Sequence, residues 1–205
     1  MLSRGNALAE RVRTYGPASA AAPTFKTVSD PPREYAPPRE RPKENLTLTS
    51  SFSPTPAPDQ VDRNVFIGDD LVAKTQLGFT HIVNCTRELP NYFDRSSPTE
   101  RGSIHYLRLG LLDNPTPGDE DLINTLEPSY RYIANIIARN PNARILVHCK
   151  AGISRSASVV IYYLMRSRGV SYRDALNYLK SKRPIVNPNP WYRQQLLDIE
   201  ALLKK

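Results

Sequence analysis

The residues His148-Cys149-Lys150-Ala151-Gly152-Ile153-Ser154-Arg155-Ser156 lie between two apolar segments of the chain. The preceding run at 145–147 predicts a short buried strand, and the following run at 157–165 predicts a largely buried helix. A tight loop between a strand and a helix start turns successive backbone N–H groups inward, where they bind an anion. The stretch therefore predicts a phosphate-binding loop, with a cysteine at its centre, at the carboxyl end of a strand in an α/β fold.

The chemistry expected of this loop depends on its cysteine and its arginine. Because a cysteine near a helix N-terminus and a cation ionises readily, we expect Cys149 to be a thiolate at neutral pH, held by loop amides and by the hydroxyls of Ser154 and Ser156. Arg155 has a planar fork of donors for two phosphoryl oxygens, and Gly152 supplies the backbone angles of a tight loop. Cys149 would attack phosphorus and form a phosphocysteine that water hydrolyses. No metal ion or other cofactor is expected, because Arg155 and the amides neutralise the phosphoryl charge.

The same residues resemble the loop of the cysteine-dependent protein tyrosine phosphatases, H-C-x-x-G-x-x-R-S/T. The order A-G-I-S-R-S-A at 151–157 resembles the dual-specificity branch, which includes the MAP kinase phosphatases. The likeness covers about 61–203, with further matching segments at 64–68, 80–84, Asp113, 183–184 and 188–189. It implies a protein tyrosine/serine/threonine phosphatase of the small atypical type. The residues implied to bind the substrate phosphate are Lys150, Ala151, Gly152, Ile153, Ser154 and Arg155.

The resemblance also implies a general acid, an aspartate on a loop about thirty residues before the cysteine. The run 104–109 predicts the strand before this loop, and Asp113 follows it, so Asp113 is the predicted proton donor. The nearby acids Asp119, Glu120 and Asp121 are typical of the charged first turn of a helix. A capping or solvated carboxylate is the alternative for Asp113.

Supporting residues follow from the same resemblance. His148 is expected to pack behind the loop and influence the electrostatics of the cysteine, with a simple core histidine as the alternative. Ser156 matches a hydroxyl that assists breakdown of the phosphocysteine, and it could also cap the helix. Asn189 matches a residue that braces the loop, although Asn-Pro is also a turn signal. Trp191 stands where the family often has glycine, so its bulk is expected to reshape a helix start near the site.

The substrate class is less defined by the sequence. Relatives that act on phosphoinositides also have a lysine where Lys150 stands, but they commonly add a second basic residue where this chain has Ile153. Protein substrates are therefore favoured over lipids, and we expect a shallow cleft that admits phosphoserine and phosphothreonine as well as phosphotyrosine. A non-catalytic module that binds phosphorylated partners without turnover is the alternative from another functional class.

The composition of the chain agrees with a small intracellular enzyme. The 205 residues have a formal net charge of +8, which suits acidic phosphorylated partners. No interleaved aromatic and basic motif indicates nucleic-acid binding, and no apolar run reaches the length of a membrane span. Two cysteines argue for a reducing compartment, so the cytoplasm or the nucleus, or both, is expected.

The hydrophobic pattern divides the chain into a tail at 1–60 and a catalytic domain at 61–205. Strands predicted at 64–67, 81–85, 104–109 and 144–148 alternate with helices, which favours a central, mainly parallel sheet flanked by helices. The predicted helices cover 69–77, 119–126, 128–139, 155–168, 171–181 and 190–203.

The tail holds 10 of the 19 prolines and is predicted to be disordered. Within it, 41–48 matches the basic–spacer–hydrophobic pattern of MAP kinase docking peptides. Residues 1–26 resemble a mitochondrial presequence, which makes the mitochondrion the alternative location. In the domain, Cys85 is expected to be a buried hydrophobe, and a disulfide to Cys149 under oxidation is a further hypothesis.

Overall fold

The computed structural model of this chain describes residues 57–75, 77–93, 104–116, 118–119 and 122–204. The predictions for the tail before residue 57, including the docking pattern at 41–48 and the presequence-like segment at 1–26, lie outside the described residues. Of the acids near the predicted proton donor, Glu120 and Asp121 also lie outside them.

A five-stranded sheet forms the centre of the described fold. The order across the sheet is β1-β2-β5-β3-β4, and all neighbouring pairs are parallel except β1 with β2. The predicted mainly parallel sheet is therefore confirmed. The strands are β1 Asp59–Gln60, β2 Val65–Gly68, β3 His81–Thr86, β4 His105–Leu111 and β5 Ile145–His148.

Strand β1 was not predicted from the sequence, because its two residues show no alternating apolar pattern. It pairs antiparallel with β2, with Asp59 opposite Ile67 and Gln60 opposite Phe66. The sheet therefore starts two residues on the tail side of the boundary predicted at residue 61.

Helices account for most of the remaining described residues. They are α1 Asp70–Ala73, α2 Leu122–Arg139, α3 Arg155–Arg168, α4 Tyr172–Lys182 and α5 Pro190–Leu203. The prediction of separate helices at 119–126 and 128–139 is wrong, because Pro128 lies inside a single helix. Proline removes one intrahelical hydrogen bond, but its helix keeps buried residues on both sides of it, Leu126 and Ile133, and packing outweighs the local loss.

The strand that precedes the phosphate loop lies in the middle of the core. Ile145 and Val147 of β5 pack into the large cluster on the α2–α5 side, whereas Leu146 packs with Phe66 and Ile82 on the α1 side. This alternation follows from the two-residue period of a strand with both faces covered. Since β5 lies between the parallel strands β2 and β3, the residue after it emerges at the carboxyl edge of the sheet, where α/β folds bind ligands. No helix among the described residues is both long and apolar enough to cross a membrane.

Candidate active site

The cysteine of the predicted phosphate loop lies at the carboxyl end of β5, with 3% of its surface exposed. Its Sγ accepts the Gly152 N–H at 3.2 Å and the Ser156 hydroxyl at 3.2 Å. Both donors therefore meet at one buried sulfur, and a thiolate sulfur accepts hydrogen bonds better than a thiol does. The Ser154 hydroxyl, which was also expected here, instead accepts the backbone N–H of Asn189 at 3.0 Å.

The carbonyl groups of the loop are bound from outside it. Lys150 O accepts the Asp70 N–H at 3.1 Å, and Ile153 O accepts the Asn187 N–H at 2.9 Å. Between them, the Arg183 side chain donates to Ala151 O at 3.2 Å and to Gly152 O at 2.9 Å. Four successive carbonyls are therefore held away from the cysteine. Because each peptide is planar and trans, this arrangement turns the opposite N–H edges toward the interior of the loop.

Arg183 belongs to one of the segments that resemble the family, and the sequence predicts no role for it. It is 8% exposed, and its Nη1 donates to the Asp59 carboxylate on β1 at 2.7 Å. Gly152 has a φ of 68°, and a Cβ there would lie 2.7 Å from both Arg183 Nη2 and Gly68 O. The predicted need for glycine is thus explained by a close approach as well as by backbone angles.

Arg155, the first residue of α3, is 1% exposed and holds two acidic side chains. Its Nη1 and Nη2 each lie 2.8 Å from a carboxylate oxygen of Glu88, and its Nε lies 3.2 Å from Asp113 Oδ1. Burial lowers the pKa of Arg155, but the hydrogen bond that Arg155 donates to Glu88 and the charges of Cys149 and Glu88 raise it above its usual value. The same pairing with Arg155 lowers the pKa of Glu88. Glu88 was not identified from the sequence.

Asp113 lies on the loop after β4, with 66% of its side chain exposed, and its Oδ1 lies 3.2 Å from Arg155 Nε. The competing acid Asp119 accepts the N–H and hydroxyl of Thr116 at 2.8 and 2.5 Å, which identifies it as a turn-forming residue. These hydrogen bonds lower the pKa of Asp119.

The start of α5 reaches both loops. Asn189 Oδ1 accepts the Tyr192 N–H at 2.9 Å and caps the helix, while Asn189 Nδ2 donates to Asp113 O at 2.8 Å. The Tyr192 hydroxyl donates to Leu112 O at 2.5 Å. Asn189 therefore caps α5 and joins it to the loop that holds Asp113. Trp191 packs edge to face against Tyr192, with ring centroids 5.1 Å apart, and α5 still begins at Pro190.

The remaining predicted residues lie behind or at the rim of the loop. His148 is fully buried, and burial lowers its pKa to about 4, so the ring is neutral at pH 7. Lys150 is exposed and Ile153 is half-buried. Cys85 is fully buried, and burial raises its pKa well above its usual value. Neither Cys85 nor Cys149 is part of a disulfide.

Comparison with known proteins identifies a matching family model and several relatives of this chain. Residues 65–201 match the family model described as "Dual specificity phosphatase, catalytic domain". The chain is 37% identical over 147 residues to Protein-tyrosine-phosphatase MKP1 of Arabidopsis thaliana, across 69% of this chain and 17% of that protein. It is 35% identical over 135 residues to Dual specificity protein phosphatase Mpk3 of Drosophila melanogaster, across 66% of this chain and 30% of that protein.

The crystal structure of human DUSP28 has a similar fold, with a TM-score of 0.61 and 33% sequence identity. The alignment covers 73% of this chain and 97% of that one. The chain thus spans less than a third of either curated relative, at 17% and 30%, and is similar to nearly the whole of the crystallised chain.

Proposed function

Because this chain belongs to the dual specificity phosphatase family, we propose that it hydrolyses phosphotyrosine, phosphoserine and phosphothreonine esters in proteins. The observation that supports this most directly is the loop in which four carbonyls are bound from outside while the buried Cys149 sulfur accepts the Gly152 N–H, with the buried Arg155 following in the same segment. Such a loop offers fixed N–H donors to the phosphoryl oxygens without reorganisation during the reaction.

The first chemical step is transfer of the phosphoryl group to sulfur. The Cys149 thiolate attacks phosphorus, the bond from phosphorus to the ester oxygen breaks, and the Asp113 carboxyl gives its proton to that oxygen. Arg155 binds the phosphoryl oxygens, over which the negative charge of the transition state is distributed. The product alcohol leaves, and the phosphoryl group stays bound to Cys149.

The second step returns the enzyme to its starting state. Water attacks phosphorus, the sulfur–phosphorus bond breaks, and the Asp113 carboxylate takes the proton of the water. Sulfur leaves as a thiolate, and the Ser156 hydroxyl, 3.2 Å from Sγ, donates a hydrogen bond that stabilises it. The products are inorganic phosphate and free enzyme.

The proposal is tested with three forms of the full chain: wild type, Cys149→Ser and Asp113→Asn. We expect wild type to hydrolyse phosphotyrosine and phosphothreonine peptides, Cys149→Ser to bind but not hydrolyse them, and Asp113→Asn to lose about 10²- to 10⁴-fold in rate for poor leaving groups. Cys85→Ala, which removes the other thiol, is the matched control and should remain active.

Two results would replace this assignment. If phosphoinositide vesicles were hydrolysed and peptides were not, the lipid alternative suggested by Lys150 would stand. If wild type bound phosphopeptides without releasing phosphate, the chain would be a binding module.

We further propose that some of the substrates are MAP kinases, on the basis of the docking pattern at 41–48. Arg41 and Lys43 would contact an acidic patch, and Leu46 and Leu48 would fill small apolar pockets. Deleting 41–48 should weaken binding to an inactive MAP kinase, whereas deleting the equally long segment 18–25 should not. Equal binding by both deletions would dismiss the docking role.

Because the chain has only two cysteines, which argues for a reducing compartment, we propose the cytoplasm or the nucleus, or both, as its location.

A further inference from the structure

The loop that holds the proposed general acid is tied to α5 at two consecutive carbonyls. Leu112 O accepts the Tyr192 hydroxyl at 2.5 Å, and Asp113 O accepts Asn189 Nδ2 at 2.8 Å. Asp113 itself is 66% exposed at its side chain, so packing of that side chain does little to hold the loop. Besides the ion pair of Asp113 with Arg155 at 3.2 Å and the hydrogen bond from Arg155 Nη1 to Leu111 O at 3.3 Å, these two contacts from α5 hold the backbone of the loop.

Of the two donors, Tyr192 has the more specific contact. The Asn189 side chain both caps α5 and donates to Asp113 O, so a substitution there would remove the two contacts together. Tyr192 is fully buried, and its ring packs edge to face with that of Trp191. A buried ring leaves the hydroxyl in one position, so the hydrogen bond to Leu112 costs little further side-chain entropy.

The helix that carries Tyr192 is held by the core. Tyr192 lies in the first turn of α5, whose later residues Leu196 and Ile199 are buried in the main core cluster. The helix is also joined to α4, because Glu200 Oε2 accepts the Tyr172 N–H at 3.2 Å. The hydroxyl of Tyr192 is thus fixed by the core and reaches the backbone next to the acid.

We propose that Tyr192 is a positioning residue for the general acid, and that its hydroxyl holds the Asp113 loop in place for proton donation before substrate arrives. This inference rests on the proposed function, since it assumes that Asp113 protonates the leaving oxygen. A displacement of about 1 Å in a catalytic group is enough to reduce a rate strongly. A loop held by α5 would not have to close over the substrate.

The test compares Tyr192→Phe with wild type across a series of aryl phosphates that differ in the pKa of the leaving phenol. We expect Tyr192→Phe to lower kcat roughly five- to tenfold for the poorest leaving groups, the size of one lost hydrogen bond, with little change for the best ones. The dependence of rate on leaving group should become steeper. A merely structural role would lower all rates together or leave them unchanged.

Two further variants make the result decisive. Tyr163→Phe removes a hydroxyl that donates to Asp62 at 2.7 Å, and it should leave the leaving-group dependence at the wild-type value. Asp113→Asn tests the underlying assignment. If Asp113→Asn steepens the dependence and Tyr192→Phe does not, the positioning role is overturned while the proposed function stands. If Asp113→Asn has no such effect, the assignment of the acid fails first.

Discussion

Both terminal nitrogens of Arg155 bind Glu88, with each nitrogen 2.8 Å from a different carboxylate oxygen. This two-point contact fixes the plane of the guanidinium, which a single contact would leave free to rotate. It also leaves the Nε edge facing Asp113, at 3.2 Å. Glu88 therefore orients the arginine proposed to bind phosphate, although Glu88 is outside the phosphate loop.

Replacing Glu88 with Gln should weaken catalysis more than stability. An amide offers one acceptor oxygen instead of two, so the guanidinium loses its fixed plane, and kcat/KM should fall by about tenfold. The effect on unfolding should be small because Glu88 is 46% exposed. Steady-state kinetics and urea unfolding check both parts. Asp198→Asn, which removes an exposed carboxylate that accepts Gln194 Nε2 at 2.9 Å, is the control. Wild-type kcat/KM in Glu88→Gln would refute the orienting role.

Arg183 should be replaceable by lysine only at a large cost in activity. Lysine has one nitrogen and cannot hold Ala151 O, Gly152 O and Asp59 in the directions that the guanidinium reaches. We expect kcat/KM to fall by about 100-fold, because the loop amides lose their orientation. The rate at which iodoacetamide alkylates Cys149 should fall together with kcat/KM. Arg173→Lys, on an exposed part of α4, is the matched control; similar rates in the two variants would contradict the prediction.

Buried histidine should make the fold less stable in mild acid. The pKa of His148 is about 4 in the folded chain, against about 6.5 when unfolded. Between these values the unfolded chain binds a proton that the folded chain excludes, so stability falls as the pH decreases from about 6.5 toward 4. From pH 7 to pH 5 this group should remove about 2 kcal/mol from the free energy of unfolding.

Urea unfolding at both pH values, in wild type and His148→Gln, measures this loss. The variant should lose about 2 kcal/mol less than wild type between the two pH values. His81 also has a pKa of about 4, from burial and the neighbouring His105, so His81→Gln is an independent second case. If wild type and both variants lost equal stability, the two histidines would not be responsible.

The phosphate loop and the elements on either side of it could be predicted from the sequence, because the strand, the loop and the helix are adjacent along the chain. Cys149, Arg155, Ser156 and the loop amides all follow from one segment. The long-range partners were not readable. Glu88 lies 67 positions from Arg155, and Asp59 lies 124 positions from Arg183, so only the folded sheet brings them together.

The prediction of secondary structure was wrong where packing outweighed local preferences, and it missed a strand that has no hydrophobic pattern. A proline usually ends a helix, yet Pro128 continues one that is anchored by buried residues on both sides. Strand β1 has only two residues, of which Asp59 is charged. Its place is set by backbone pairing with β2 and by Arg183, neither of which a hydrophobic pattern records.

Gly152→Ala should lose most of its activity, and the reason is spatial as well as conformational. Both Gly152 and Gly169 have positive φ values, 68° and 65°, so alanine is strained by about 1 kcal/mol or more at either position. A Cβ at Gly152 would also lie 2.7 Å from Arg183 Nη2 and Gly68 O, whereas a Cβ at Gly169 meets nothing within 4 Å. We expect Gly152→Ala to lose more than about 100-fold in kcat/KM, because Arg183 must withdraw from the loop carbonyls. Gly169→Ala should lose stability alone and keep its kcat/KM. Thermal unfolding and steady-state kinetics of the two variants check this difference, and an active Gly152→Ala would show that the loop does not need the close approach of Arg183.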